Sequence, residues 1–463
     1  MSELSADFVI IGGGIAGVSC AEILCQLTSG EVPVLMISGS TLVRVAANVA
    51  QLTQSLVQFD VQESSAEELQ NKTPGLQVLT GVTVTALDPS SKLIKLSNGR
   101  TVRYKKSVCI CTGARPRQLP GAEACGDRVL TLRDIESVNS LENNLKDARR
   151  VEIEWLVRDK HISAAFVDPG AAQFFLSAGA LTEDSKKPET VVKRLRYTGA
   201  AGDHSCMGAA LGPDWHSSFD IQGPGGESRP KISVEYECEV QHILQRGQKD
   251  FPADENDYPL ALQLSNGKVI SADLVVVATG VVPNCEVFAS VVDVAPVSER
   301  GGGIRVDKIM QTSVPDVYAA GDVALACWPR DKHWFQMRLW TQARQMGTLA
   351  GRAMATPDTA NMFDFSFESF AHMTKFFGYK VVLLGLYNGQ GMEPGSWEAL
   401  VRVTPGKEYV KLVLADGKVH GAVLVGETEL EETFDNLILN QTDVGHLGDD
   451  LLNPSVDIDD YFD

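Results

Sequence analysis

The chain has 463 residues, 44% of them hydrophobic, with 41 Gly and 20 Pro, which leaves room for two or three domains with a sizeable core. A formal charge of -19 and a pI near 4.9 argue against a phosphate-neutralising surface of clustered Lys and Arg, so no direct nucleic acid binding is expected. Nine Cys at irregular spacing read as reduced thiols rather than a disulphide framework.

The N-terminal stretch FVIIGGGIAGVSCAEIL resembles the apolar part of a signal peptide, but the first basic residue of the chain is Arg44, so the positive n-region is missing. No apolar run reaches membrane-spanning length, and no membrane partner is expected. The expected setting is cytoplasmic and nuclear. Asp7-Phe-Val-Ile-Ile11 reads as a short buried strand, and Val18 to Leu27 reads as a helix. Between them stands Gly12-Gly-Gly14-Ile15-Ala16-Gly17, a GxGxxG loop of the dinucleotide-binding type. Its first Gly permits the tight turn, its second lets a pyrophosphate approach the backbone, and its third lets helix pack on strand. The next strand, Val34 to Ile37, ends in Ser38 rather than in the acidic residue that grips a ribose, so that contact is weaker or falls to Ser38.

Residues 97 to 116, SNGRTVRYKKSVCICTGARP, are echoed by residues 265 to 283, SNGKVISADLVVVATGVVP. Each copy has an Asn-Gly turn of hairpin type, a return strand, and an apolar strand ending in Thr-Gly. Two edge hairpins on unrelated sheets would satisfy this pattern. Two dinucleotide-binding units, each closing beside its own glycine loop, satisfy it as well, and the second loop is then due near residue 150. Further along, Val317 to Ala320 reads as a strand delivering Gly321-Asp322. A strand-end carboxylate there suits ribityl hydroxyls, although Asp322 as a helix N-cap is an equal reading.

The set of GxGxxG, two (A/C)-T-G strands and Asp316-Val-Tyr-Ala-Ala-Gly-Asp322 resembles the pyridine nucleotide-disulphide oxidoreductase family. Residues 210–216, 337–347, 374–385 and 426–440 extend the resemblance, toward an animal branch of that family, over nearly the whole chain. It implies an α/β, two-dinucleotide-binding-domain flavoprotein of Rossmann-like FAD/NAD(P)-binding architecture with an α+β C-terminal domain. The implied domains are 1–120 with 282–355 for FAD, 121–281 as an NAD(P)-binding-like domain truncated near 151 and carrying an insertion at about 169–260, and 356–463 at the C-terminus with an acidic tail. By the same resemblance FAD lies at Gly12, Gly14, Ile15, Ala16 and Gly17, with Val84, Cys111, Thr112 and Gly113 nearby and Gly321 and Asp322 at the ribityl chain. Trp340 and Thr341 open a helix, running to about Ala355, whose N-terminus faces the flavin's pyrimidine edge; such an end stabilises the negative charge that reduction brings there. Arg44 fits the loop near pyrophosphate and flavin, or else a solvated surface. The activity implied is hydride transfer from NAD(P)H to flavin without an active-site disulphide, in a redox-guarding partnership with the tRNA ligase. A flavin-holding interaction protein that has lost NAD(P)H is the competing class.

That competing class is kept because of DARRVEIEWLVRDK, residues 147 to 160. In the family, a strand after the basic turn runs into the second glycine loop and its helix. Here Val151 is followed at once by Glu152-Ile-Glu-Trp-Leu-Val-Arg158, which resembles the next strand of the unit. A strand body, loop and helix of roughly 20 to 25 residues are therefore expected to be deleted, by exon skipping or a misread gene junction, which makes NAD(P)H binding doubtful. Arg158 suits a 2′-phosphate or, more simply, a surface. Cys20 and Cys25 share one helix but point about 140° apart and ~7.5 Å apart along its axis, too far to bridge. Cys109 and Cys111 share a strand face, open to a redox role or a packed core. The eight His show no metal spacing, and no catalytic triad can be placed, so neither a metal ligand nor a catalytic side chain is expected. Residues 181–260 read as an irregular insertion on the second domain, with Trp215 and His216 as a partner surface or a satellite core. From about Phe363, alternating strands precede a helix at Glu429 to Leu439, and the tail from Asp457 reads as a solvated end or a linear partner motif.

Overall fold

Phe8 to Ile11 are four consecutive buried residues, a run that suits a strand covered on both faces. They end β1 (Leu4–Ile11), which lies between two parallel neighbours in a computed structural model describing residues 4–133, 135–146, 148, 151–164, 166–178, 190–196, 231–252, 257–357 and 367–455. Helix α1 (Ile15–Leu27) follows, three residues earlier at its start than the sequence suggests, because Gly14 already serves as its N-cap. With β2 (Val34–Ile37), β5 (Leu76–Leu79), β6 (Val84–Asp88), β7 (Leu93–Leu96) and β8 (Thr101–Ile110), the sheet order is β5-β2-β1-β8-β7-β6.

Between β2 and β5 the chain leaves the sheet as a long hairpin, β3 (Leu42–Gln51) and β4 (Val57–Ser65). It returns through α2 (Ala66–Lys72), fixed by a capping box in which the Ser65 hydroxyl accepts the Glu68 N–H and the Glu68 carboxylate accepts the Ser65 N–H, both at 3.2 Å.

Next in sequence come β9 (Val129–Thr131), α3 (Ile135–Leu145), β10 (Glu152–Leu156), α4 (Pro169–Ala178), β11 (Val191–Arg196) and β12 (Lys231–Glu235). Then β13 (Val240–Gln245), β14 (Leu260–Leu264), β15 (Val269–Ala272) and β16 (Val275–Val277) complete this stretch. The expected echo is present in the turn chemistry. Gly99 and Gly267 both take φ near +80°, at 79° and 83°, and in both turns the Asn side chain accepts the N–H two residues on, from Arg100 at 3.1 Å and from Lys268 at 3.0 Å. The sheets that the two hairpins join differ. Among the described residues β9 pairs with β16, β10 with β12, and β13-β14-β15 stand as a third sheet.

The chain then forms β17 (Val317–Ala319), parallel to β8, and α5 (Trp340–Ala355). An antiparallel sheet follows from β18 (Ala371–Phe376), β19 (Tyr379–Gly385), β20 (Glu398–Thr404), β21 (Glu408–Ala415) and β22 (Lys418–Val425), and α6 (Glu431–Asn440) covers it. Strand β11 adds to its edge by pairing with β20, and Phe174 and Phe175 of α4 meet the rings of Tyr379 and Phe376 at 5.2 and 5.0 Å. The stretch read as irregular insertion on the second domain thus supplies an edge strand and two aromatic anchors to the C-terminal sheet. Trp215, His216 and the acidic tail lie outside the described residues.

Two compact units result: Met1–Arg115, Phe174–Leu211 and Val282–Asp463 in one, Pro116–Gln173 and Gly212–Val281 in the other. The first unit joins the expected FAD-binding and C-terminal parts, for a reason visible at the tip of the β3–β4 hairpin. Leu56 is fully buried in the C-terminal core, and the buried Asp435 of α6 accepts the Thr53 hydroxyl at 2.5 Å and the Ser55 N–H at 2.9 Å. Leu56→Ala would leave a void in that core and cost about 3 kcal/mol. Denaturant unfolding followed by Trp fluorescence is expected to show the loss, and an unchanged midpoint would mean that the tip is not seated there.

Candidate functional site

The glycines of the N-terminal loop do different physical work. A Cβ on Gly12, whose φ is 125°, would stand 2.1 Å from the Cys111 carbonyl oxygen, and one on Gly17 would stand 2.0 Å from the Gly12 oxygen. These two let β1, β8 and α1 close on one another. Gly14 is different, since a Cβ there meets nothing within 4 Å. Open space therefore lies at the N-cap of α1, where no side chain caps the helix and no acidic residue occupies the first turn. Free N–H groups facing open space make an anion seat. Ile15 and Ala16, in the first turn, are buried and face inward. Ser38 is buried beside Gly13, whose added Cβ would come within 2.7 Å of the hydroxyl. Val84 opens β6 two residues past Val82, whose N–H donates to the Ser38 carbonyl at 3.2 Å.

Helix α5 reaches the same place by close packing on α1. A Cβ on Gly347 would lie 2.1 Å from the Ala16 oxygen, and one on Gly351 would lie 2.6 Å from the Cys20 oxygen. Four residues apart, the two glycines share one face of α5. Gly321, at φ 79°, sits over Ala16 in the same way, with 2.8 Å to its Cβ. Asp322 lies inside the 3-10 turn Gly321–Val323, whose N-cap is Ala320, so the N-cap reading of Asp322 is replaced by a position within the turn. Its backbone carbonyl accepts the Nε–H of Arg338 at 3.0 Å, and the buried Arg338 also donates to the Gly302 carbonyl at 2.6 Å.

Trp340 and Thr341 open α5 as expected, with Leu339 as an N-cap that offers no side-chain hydrogen bond. The Trp340 indole Nε1 is buried without a hydrogen-bond partner. Arg44 ties the two helix starts together. Its N–H donates to the Gly13 carbonyl at 2.8 Å, its guanidinium stands 5.9 Å from the centre of the Trp340 ring, and Glu63 holds it at 3.5 Å. Of its two sequence readings, the structure gives the one beside the loop. Thr112 and Gly113 are pinned by Asn284, which donates its backbone N–H to Gly113 and its side-chain amide to Thr112, both at 2.9 Å, and accepts the Thr112 hydroxyl on its carbonyl at 2.8 Å.

A buried uncapped helix end, an indole N–H without an acceptor, and open space over Gly14 all fit a dinucleotide whose ring system carries carbonyl and ring-nitrogen acceptors, as FAD does. Cys111 is buried with its Sγ 3.4 Å from that of Cys109. The contact with Cys111, then that with Cys20, then burial push the Cys109 thiol well above its ordinary pKa, so Cys109 fits a packed core better than a reactive thiolate. Cys20 and Cys25 are buried and free on α1, with the Cys20 Sγ 3.9 Å from the Met354 sulfur. Among the described residues no group of three or more His, Cys, Asp or Glu could hold a metal ion, and no helix is long and apolar enough to cross a membrane. Asn284 and Arg338 escape sequence reasoning because each works through partners distant in the chain. The one local hint is that Asn284 follows the echoed Thr-Gly by four residues.

The family model of the pyridine nucleotide-disulphide oxidoreductases matches residues 6–157 and 230–347, more than half of the chain. The pyridine nucleotide-disulfide oxidoreductase domain-containing protein 1 of Danio rerio is 43% identical, with 100% of this chain and 99% of that protein covered. That of Rattus norvegicus is 40% identical, with 99% of each covered. The latter alignment runs over 503 positions against a chain of 463 residues, so at least 40 positions of the relative have no counterpart. In fold, the chain is similar to putidaredoxin reductase in its covalent complex with putidaredoxin (TM-score 0.62, 17% identity, 95% and 94% covered). It is equally similar to an engineered water-forming NADPH oxidase (TM-score 0.61, 17% identity, 96% and 92% covered).

The two kinds of glycine separate in a binding assay. Gly14→Val is expected to leave the fold intact, since Gly14 has φ -78° and room for a side chain, while abolishing retention of FAD read by its visible absorbance. Gly17→Ala is expected to destabilise the unit by about 2 kcal/mol or more through overpacking. Retained FAD in Gly14→Val would show that the dinucleotide sits elsewhere.

Proposed function

The chain belongs to the pyridine nucleotide-disulphide oxidoreductase family, and from that premise we propose that its first unit holds FAD for oxidation and reduction by NAD(P)H. The observation that carries this reading is the meeting of two helix starts without side-chain caps, at Gly14 and at Trp340, with Arg44 bonded to one and packed on the other. When bound, the flavin supplies the acceptance of a hydride and its release as electrons. The residues of this chain supply orientation and charge. Backbone N–H groups at α1 would hold the pyrophosphate, Asn284 fixes Thr112-Gly113, and α5 would offer its positive end to charge on the flavin. The functional role consistent with an oxidoreductase of this kind is protection of an oxidation-sensitive partner in the cytoplasm and nucleus. The tRNA ligase is that partner on the sequence resemblance alone.

A second reading, a flavin-holding interaction protein without effective NAD(P)H binding, is favoured by the second unit. In the first unit β1 sits between β2 and β8, and carries the glycine loop. The counterparts in the second unit are β10 for β2 and β16 for β8, by the echo of the hairpins. Neither meets a strand between them among the described residues, and the sequence has no glycine between Gly126 and Gly170. We infer that the middle strand, its loop and its helix are deleted between Val151 and Glu152. On this second reading, no glycine loop among the described residues of the unit offers the amides that would cradle an NAD(P)H pyrophosphate.

The two readings divide on one measurement. NADH or NADPH is expected to reduce the bound flavin at least about a hundredfold more slowly than in a version carrying a strand, GxGxxG loop and helix restored at that junction. Dithionite, which needs no site, is expected to bleach both equally. Equal rates with NADH in anaerobic stopped flow would show that other residues build the site.

A further inference from the structure

His333 and His420 meet inside the first unit, 7% and 2% exposed, with the Nε2 of the former 2.9 Å from the Nδ1 of the latter. They join parts of the chain 87 residues apart. His420 lies on β22 of the C-terminal sheet, and His333 lies on the irregular stretch that leads to Leu339, the N-cap of α5. That stretch also rests on the sheet through the Phe370 N–H, which donates to the His333 carbonyl at 2.9 Å, and through Phe335, whose ring stacks on that of Phe370 at 4.3 Å. A nitrogen-to-nitrogen contact of this length holds one proton, so one of the two facing nitrogens is bare, whichever ring donates. This sets how much acid the contact tolerates. A first added proton can go to the far nitrogen of the donor ring and keep the contact, at the cost of a buried cation. A second has only the bare facing nitrogen left, and the contact is then lost.

Among the described residues no carboxylate forms an ion pair with either ring. The charged groups acting on the pair are Lys332 beside His333 and Asp416 and Lys418 at the turn before β22, with Asp331, Glu368 and Asp443 on flanking turns. Burial, then His420, then Lys332 push His333 down to about 4. Burial, then Lys332, lowers His420 as well, against the pull of the Ala415 carbonyl and Asp416. Both rings are therefore neutral near pH 7. We propose that the contact between His333 and His420 is a pH-sensitive latch: it holds the stretch before α5 on the C-terminal sheet while both rings are neutral, and lets go as the pair takes up protons. A ring that takes a proton more readily when free than when buried opens its contact as pH falls, from the free value down to the buried one. For His333 that window runs from 6.5 to about 4. The stretch ends at the start of α5, so its release loosens Trp340 and Thr341 without unfolding the sheet.

The test is hydrogen exchange of the full chain, read as protection factors so that the intrinsic pH dependence of exchange is removed. The Phe370 amide, which donates to the His333 carbonyl, reports opening of the latch, and the Leu386 amide, which donates to the His420 carbonyl at 2.8 Å within the C-terminal sheet, is the reference. From pH 7 to pH 5 the protection of Phe370 is expected to fall about twentyfold relative to Leu386, the factor supplied by one ring whose value drops from 6.5 to about 4. In the double variant His333→Gln with His420→Asn, two amides meet where the rings met and neither titrates. The fall is then expected to stay under about threefold. His372, also buried and pushed down to about 4, remains in that variant and controls for acid effects elsewhere. If the double variant does not fold, His333→Gln alone decides, and a fall at least about fivefold smaller than in the wild type supports the latch. Wild-type protection that is the same at pH 5 as at pH 7, or a fall of wild-type size in the variants, overturns it. Equal loss at Phe370 and Leu386 overturns it as well, because acid would then unfold the sheet rather than release the stretch.

Discussion

The first unit depends on how closely two helix backbones approach. Gly347 and Gly351 put α5 against the carbonyls of Ala16 and Cys20 at distances where a single methyl group would collide. Without that approach the start of α5 could not stand beside the start of α1, and the anion seat would be half built. The same economy appears at Gly12, Gly17 and Gly321, each pressed on a backbone or on Ala16. Of the loop glycines Gly12, Gly13, Gly14 and Gly17, only Gly14 is free of such contact, so it faces open space rather than protein.

A parallel sheet has to be covered on both faces, and it grows from its middle strand outward. The first unit has that strand in β1, and six neighbours order themselves around it. In the second unit, among the described residues, β10 pairs only with β12 and β9 only with β16, and Ile153 and Ile232, directly opposite each other on β10 and β12, are 41% and 54% exposed. Both would be core residues if a helix lay over them.

What could be read from the sequence was what is local. The glycine loop, the paired Asn-Gly turns and the helix beginning at Trp340 each depend on a few adjacent residues whose conformational demands are narrow. The place where a second glycine loop is due was legible because an echo set it, and the sequence has no glycine between Gly126 and Gly170. The β3–β4 hairpin was not, since its buried tip at Leu56 is explained only by a core hundreds of residues away. Nor was the attachment of β11 to the C-terminal sheet, where Val191–Arg196 finds its partners in Glu398–Val403. Asn284 and Arg338 fall in the same class, because a polar side chain announces its type in the sequence but not the backbone it will meet.

The hairpin β3–β4 is bonded at its base to the glycine loop, through the Arg44 N–H, and at its tip to α6, through Asp435. It therefore acts as a strut between the dinucleotide seat and the C-terminal core. A ligand that binds only the folded seat stabilises everything that must fold with it, by RT ln(1 + [L]/Kd), which is about 2.7 kcal/mol when the ligand is a hundred times its dissociation constant. Through this strut the supply of free flavin in the cell becomes a term in the thermal stability of the C-terminal sheet.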